Sequence, residues 1–162
     1  MTTILFDSDS LIKLTKAGAK EDLVNNFNAF ITLEVKEECI DEGQGKPDAV
    51  IISQNIENNK LAVVKNEWKR NEISGLKLGK GEISVYAASC QIKHDIISSD
   101  DQKFLRLLNQ LGKKAVTSSS LIVLLYKKRK ISKERALRLL DGLKEHVNEI
   151  EYDLCKHALE EK

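Results

Sequence analysis

Thr3-Ile4-Leu5-Phe6-Asp7-Ser8-Asp9-Ser10-Leu11-Ile12 opens as an apolar run, turns abruptly to acids alternating with hydroxyls, and becomes apolar again at helical spacing. This pattern predicts a buried strand feeding a helix, with the acids at the strand's carboxyl end. In open parallel α/β sheets ligands bind at that end, because the loops leaving the strands converge on one crevice. Asp7 is therefore the first candidate site residue, and its partners are expected at other strand ends.

The chain has 162 residues, a formal net charge of +1 and a single Pro, which fits one soluble globular domain with a real core and few linkers. So small a net charge carries no signal for a polyanionic partner, and nucleic-acid binding would need a local basic patch. Cys39, Cys90 and Cys155 are odd in number, far apart and outside any CxxC pair. Each falls in a helical stretch, so they are expected as small buried hydrophobes rather than ligands or disulfides. His94, His146 and His157 show no metal-binding spacing. The amino terminus runs straight into a strand, with no signal segment and no apolar run of membrane length. A cytoplasmic protein with no membrane partner is the expectation.

Working outward, Leu11, Ile12 and Leu14 predict a short helix ending near Gly18, and residues 20–27 a second. Strands are expected at 29–33, Leu61–Val64, 95–98 and 114–117. Helices are expected over 34–42, from Pro47, from Glu82, over 104–111, over 118–130, from the Ser132 cap to Leu143, and from Glu149. Ile83, Tyr86, Ala87 and Cys90, at i, i+3, i+4 and i+7, mark the expected inner face of the Glu82 helix. The stretch 67–80 is mixed and charged and holds the only tryptophan, Trp68. Gly75, Gly79 and Gly81 read as turn glycines before that helix, since they lack the GxGxxG pattern of a phosphate loop. Strands alternating with helices predict an α/β fold, a parallel β-sheet flanked by helices in three layers.

Carboxylates recur at the element boundaries: Asp7 and Asp9; Glu34, Glu37 and Glu38; Glu82; Asp100 and Asp101. Each taken singly has a plain explanation, as a helix cap, a charge suited to the helix dipole, or a solvated side chain. Jointly they are harder to dismiss. Asp7 and Asp101 each follow an apolar strand, so if those strands are neighbours their carboxylates meet at one edge. Carboxylates packed together raise one another's pKa unless a cation neutralises them. Mg²⁺ or Mn²⁺, with oxygen ligands and retained waters, resolves that conflict and supports phosphodiester hydrolysis. In the helix after residue 33, Val35, Glu38, Cys39 and Glu42 share a face while Glu37 joins Asp41 on another. With Val35 and Cys39 inward, Glu38 is favoured over Glu37 and Glu34 at the pocket edge.

These residues resemble the PIN domain, a family of metal-dependent ribonucleases that includes VapC-like toxins. Leu5-Phe6-Asp7-Ser8-Asp9-Ser10-Leu11-Ile12 resembles the family's opening strand with its first acid, and Ile31–Cys39 its second motif, with Glu38 the best match. Leu78-Gly79-Lys80-Gly81-Glu82-Ile83 looks like the variant in which a Gly-Glu pair opens the helix carrying the third acid. Ile97-Ser98-Ser99-Asp100-Asp101-Gln102-Lys103-Phe104 resembles the fourth motif and places the acid on Asp101, with Asp100 a close alternative. Thr117-Ser118, followed by an apolar helix and the basic residues 127–130, is similar to the last motif.

The resemblance covers about residues 3–131 and implies a PIN-like nuclease domain over 1–131, with 132–162 a C-terminal helical extension of the same domain. It implies an endoribonuclease in which Asp7, Glu38, Glu82 and Asp101 hold Mg²⁺ or Mn²⁺. Asp9 and Asp100 would orient metal waters, and Thr117, Ser118 and Ser99 would support the site. Lys127, Lys128, Arg129 and Lys103 would meet RNA phosphates, with Lys130 and Arg106 close by. For the toxin subgroup it further implies a homodimer restrained by a small antitoxin protein.

Two rival readings carry expectations of their own. Asp7-Ser8-Asp9 also resembles the nucleophile motif of haloacid-dehalogenase-like phosphatases, with Asp7 attacking phosphorus. Its required strand-end hydroxyl should precede the acidic pair, whereas Thr117 follows it. A non-catalytic PIN-like binding module is the other, although all four acidic positions are filled.

Overall fold

The computed structural model describes residues 1–65, 75 and 77–161. The strands β1 (Thr3–Phe6), β2 (Asn28–Thr32), β3 (Leu61–Val64), β4 (Ile96–Ser98) and β5 (Ala115–Val116) form one all-parallel sheet in the order β3-β2-β1-β4-β5. Ile4, Leu5 and Phe6 are all buried, which is why the central strand reads as a continuous apolar run rather than an alternation. The helices are α1 (Ser8–Lys16), α2 (Lys20–Asn26), α3 (Leu33–Lys36), α4 (Pro47–Glu57), α5 (Lys80–Gln91), α6 (Gln102–Gln110), α7 (Ser118–Lys127), α8 (Lys133–Leu143) and α9 (Glu149–Glu160). Right-handed crossovers put α1, α2 and α4, which lead towards β3, on one face and α5 and α6, which lead towards β5, on the other. Contacts of α1 with α4, α7 and α8, and of α5 with β1 and β2, fit that three-layer arrangement.

The register matters most at the carboxyl ends. Phe6 pairs with Ser98, so β1 and β4 end side by side, and the Asp7 N–H donates to the Ser98 carbonyl at 3.0 Å. The chain leaves β1 towards β2 on one side while β4 lies on the other. The boundary between β1 and β4 is therefore the sheet's switch point, where a crevice opens beyond the strand ends.

Three local expectations are corrected. The helix expected over 34–42 is α3 followed by a π-helical stretch, Glu37–Asp41, in which the Glu42 N–H reaches back five residues to the Glu37 carbonyl. Such a widened turn is frequent at functional sites because it re-aims side chains. Of the expected inner face of α5 only Ala87 is buried, while Ile83 and Tyr86 are half-buried and Cys90 is exposed; the buried face is Gly81, Ser84, Val85 and Ala88, at the same spacing two residues earlier, with Ala87 and Ser89 beside it. Small residues win that face because α5 lies close over β1 and β2, and the Ser84 hydroxyl meets Thr32 Oγ1 at 2.6 Å. For the same reason Cys90 is exposed, whereas Cys39 and Cys155 are buried as expected.

The helices after residue 131 share the core of the sheet domain. Ala136, Leu139, Leu140, Leu143, Tyr152, Cys155 and Leu159 join the same buried cluster as β1, and α8 and α9 pack on α7. Of the charged stretch 67–80, Trp68 and most of its neighbours lie outside the described residues. Among the described residues no helix is long and apolar enough to cross a membrane.

Candidate functional site

A cleft of about 370 Å³ opens over the β1/β4 switch point, lined by Asp7, Ser8, Asp9, Glu38, Gly79, Gly81, Glu82, Asp100 and Asp101. The four acids singled out by sequence, Asp7, Glu38, Glu82 and Asp101, all reach it, each from a different element junction.

Asp7 caps α1: its Oδ1 accepts the Ser10 N–H at 2.9 Å, and the residue is 5% exposed. Burial pushes its carboxyl from an ordinary 3.8 up to about 7, opposed by hydrogen bonding from Ser99 and Ser10 and reinforced by the Asp100 charge. Asp101 caps α6, its Oδ1 accepting the Phe104 N–H at 2.7 Å. Glu82 closes the first turn of α5, its Oε2 accepting the Gly79 N–H at 3.0 Å. Burial raises the Glu82 pKa against that bond, with the Asp101 and Glu38 charges adding to the rise.

Glu38 is held by both oxygens. Oε2 accepts the Ser8 hydroxyl at 2.6 Å and Oε1 the Gly81 N–H at 3.1 Å. The α5 backbone stands so close that a Cβ on Gly81 would lie 2.5 Å from Glu38 Oε2. Glu37 points elsewhere and pairs with Lys80 at 2.9 Å. Glu34 is half-buried and does not line the cleft.

Asp100 and Asp101 are adjacent in sequence and have different work. Asp100 takes the Ser118 N–H at 2.8 Å and the Ser118 hydroxyl at 2.7 Å, and Lys13 Nζ stands 3.5 Å from its Oδ2. It ties the end of β4 to the start of α7. Asp100→Ala strands those donors in a buried setting, so denaturant unfolding is expected to show a loss of about 1–3 kcal/mol. Lys13 also pairs with Asp9 at 2.7 Å, at the exposed rim. Ser99 Oγ accepts the Asp101 N–H at 3.2 Å. Thr117 caps α7, its Oγ1 accepting the Ser120 N–H at 3.2 Å, and does not line the cleft.

The basic residues are placed apart. Lys103 is exposed in the first turn of α6, at the cleft end. Lys127, Lys128 and Arg129 lie at the far end of α7, which starts beside Asp100 and runs away from the cleft for ten residues, about 15 Å at ~1.5 Å per residue. Ser8, Gly81 and Lys13 are site residues that sequence reasoning missed. The i,i+4 spacing of Asp9 and Lys13 is a local signal for Lys13, and the Gly-Glu pair at 81–82 one for Gly81.

The lining ligand set is all oxygen, without Cys or His, which suits a hard divalent cation. Among the described residues no three acids are gathered into a ready-made cage. Mg²⁺ characteristically keeps several waters and takes only one or two carboxylates directly, so acids spread round a cleft are compatible with it. The raised Asp7 pKa points the same way, since a buried carboxylate without a neutralising cation holds its proton.

No curated protein and no solved structure matches the chain. A family match does extend over residues 3–162, taking in the sheet, the cleft acids and the C-terminal helices alike. The chain belongs to the PIN domain family, whose members are generally metal-dependent nucleases.

Proposed function

We propose that the protein hydrolyses RNA phosphodiesters with Mg²⁺ or Mn²⁺ held by Asp7, Glu38, Glu82 and Asp101. The observation that carries this reading is the convergence of those four acids, from four separate element junctions, on one cleft at the switch point. A bound divalent cation supplies acidity to an attacking water and offsets charge on the phosphoryl oxygens.

The chain's own residues supply order. Asp7, Asp101 and Glu82 each commit one oxygen to a helix-terminal N–H, which fixes the carboxylate at the edge of the cleft. Ser8 and the Gly81 N–H aim Glu38. Lys13 holds Asp9 and Asp100 together at the rim, and Asp100 anchors α7 so that the β4 end cannot drift from β1.

Incubating the protein with single-stranded RNA in Mn²⁺ is expected to give cleavage that chelator abolishes. Phosphate release from a phosphomonoester without RNA cleavage would overturn the reading in favour of a phosphatase. Family membership and the use of Thr117 as a helix cap support the nuclease over that alternative. The toxin role, the homodimer and the small antitoxin belong to the same proposal and rest on the motif resemblance. A monomer by light scattering at high concentration would overturn the dimer.

A further inference from the structure

The cleft cannot by itself hold a polyanion. Six carboxylates line it, and no cation is among its lining residues. A strand of RNA must draw its electrostatic binding energy from elsewhere on the surface, because that energy comes from cations neutralising phosphates.

A second cavity, of about 590 Å³, lies at the opposite end of the sheet, beside the start of β4 and the end of α7. Its lining includes Lys114, Lys128 and Lys130, with Asp95 as its one acid. Asp95 is already engaged, accepting the Thr3 N–H at 2.8 Å. The run after α7 splays: Lys128 and Lys130 turn into this cavity, while Lys127 and Arg129 line a neighbouring groove with Tyr126, Ala158 and one acid, Glu161. Arg129 adopts φ 57, and the turn it makes lets successive cations face two sides of one ridge. None of these five cations is ion-paired among the described residues.

The helix dipole does not account for them. A helix carboxyl end carries roughly half a negative charge, so it balances less than one cation. Four consecutive cations with Lys114 beside them, set against Asp95 and Glu161, still leave a local excess above the +1 of the whole chain. The molecule is thus electrically polar along the strand direction, acidic where the strands end and basic where they begin.

We propose that the Lys114–Lys128–Lys130 cavity is a second RNA site, which takes the phosphodiester backbone of the strand whose scissile bond lies in the acidic cleft. This deepens the nuclease reading and rests on it. The ten residues of α7 separate the two sites by ~15 Å, or roughly four phosphates at the ~3.4 Å axial spacing of a helical strand. Substrate length is therefore part of recognition, with a strand too short to span both sites bound only where repulsion is greatest.

The test measures binding of a fluorescent 20-nucleotide single-stranded RNA in chelator, over a range of salt, for the full chain and for Lys114→Gln/Lys128→Gln/Lys130→Gln. Each phosphate contact on a single strand contributes ~0.7 to the salt slope, so the triple variant should lose about 2 from the slope and bind at least tenfold more weakly near 0.1 M salt. All three side chains are exposed, which leaves folding intact. Removing the same charge at Lys16, Lys46 and Lys93 should leave binding within twofold. An unchanged slope in the cavity variant overturns the proposal, as does an equal loss in the control. Retained RNA binding with lost self-association by light scattering also overturns it, assigning the cavity to contact with the acidic cleft of a second copy. Because binding is read without metal, absence of RNA cleavage by the wild-type protein would sink the nuclease reading and be told apart from a failure of this one.

Discussion

Asp7→Asn is expected to abolish metal-dependent RNA cleavage and, in chelator at pH 8, to make the protein more stable than wild type. The two effects share one cause. Asp7 is buried at the end of the central strand, and burial holds its pKa near 7 against an ordinary 3.8. As pH rises past 3.8 the unfolded chain gives up this proton while the folded protein keeps it, so stability falls with pH. The fall is complete once pH passes the folded value. At ~1.4 kcal/mol per unit the loss is on the order of 4 kcal/mol above pH 7. Asn carries no charge at any pH, and its Oδ1 can still accept the Ser10 N–H. The variant should therefore match wild type near pH 3.5 and exceed it increasingly up to pH 7–8. Adding Mn²⁺ at pH 8 should narrow the gap, because a ligand that binds only the folded state stabilises it, and only wild type binds it well. Urea unfolding at several pH values, with and without Mn²⁺, reads all of this. A variant no more stable than wild type at pH 8 in chelator would show that Asp7 is not a strained, buried carboxylate.

The parts of this site that the sequence displays are those set by local patterning. Ile4, Leu5 and Phe6 before Asp7, and Ile96 and Ile97 before Asp100, mark strands buried on both faces, and acids that follow them must sit at strand ends. The face argument that prefers Glu38 to Glu37 is of the same kind: Val35 and Cys39 are the buried pair on that turn, and Glu38 lines the cleft. What the sequence hides is set by approach between distant elements. Asp100 and Asp101 look equivalent until β4 and α7 come together and Ser118 claims Asp100. The α5 helix turns its smallest residues inward, so a reading that ranks positions by hydrophobicity chooses Ile83 and Tyr86 and misses the face by two residues. Lys127 to Lys130 read in sequence as contacts for RNA phosphates, with nothing to say how far they stand from the acids. The direction of α7, away from the strand ends, carries them to the opposite end of the sheet. Gly81 is the clearest case. It reads as a turn residue, yet it lies inside α5 and its missing side chain is the space that Glu38 fills.

Gly81→Ala should consequently separate stability from function. An added Cβ would stand 2.5, 2.7 and 2.9 Å from Glu38 Oε2, Oε1 and Cδ, distances that no packed side chain tolerates. The atoms in the way belong to the end of a flexible side chain, so the fold need not move: Glu38 rotates off and gives up the bonds to Ser8 and the Gly81 N–H. In a helix Ala is favoured over Gly by up to ~1 kcal/mol, which offsets the lost bonds, and the melting temperature should shift by only a few degrees in either direction. Activity has no such compensation. Removing the group that orients a metal-binding carboxylate typically costs 10–100-fold in affinity or rate, and here the carboxylate itself is displaced. Mn²⁺ affinity and RNA cleavage should both fall by about that factor, while Ser8→Ala, which removes one of the two bonds and adds no bulk, should fall by less. A Gly81→Ala protein that folds, binds Mn²⁺ and cleaves RNA as wild type does would remove Glu38 from the metal site and leave Asp7, Glu82 and Asp101 to account for it.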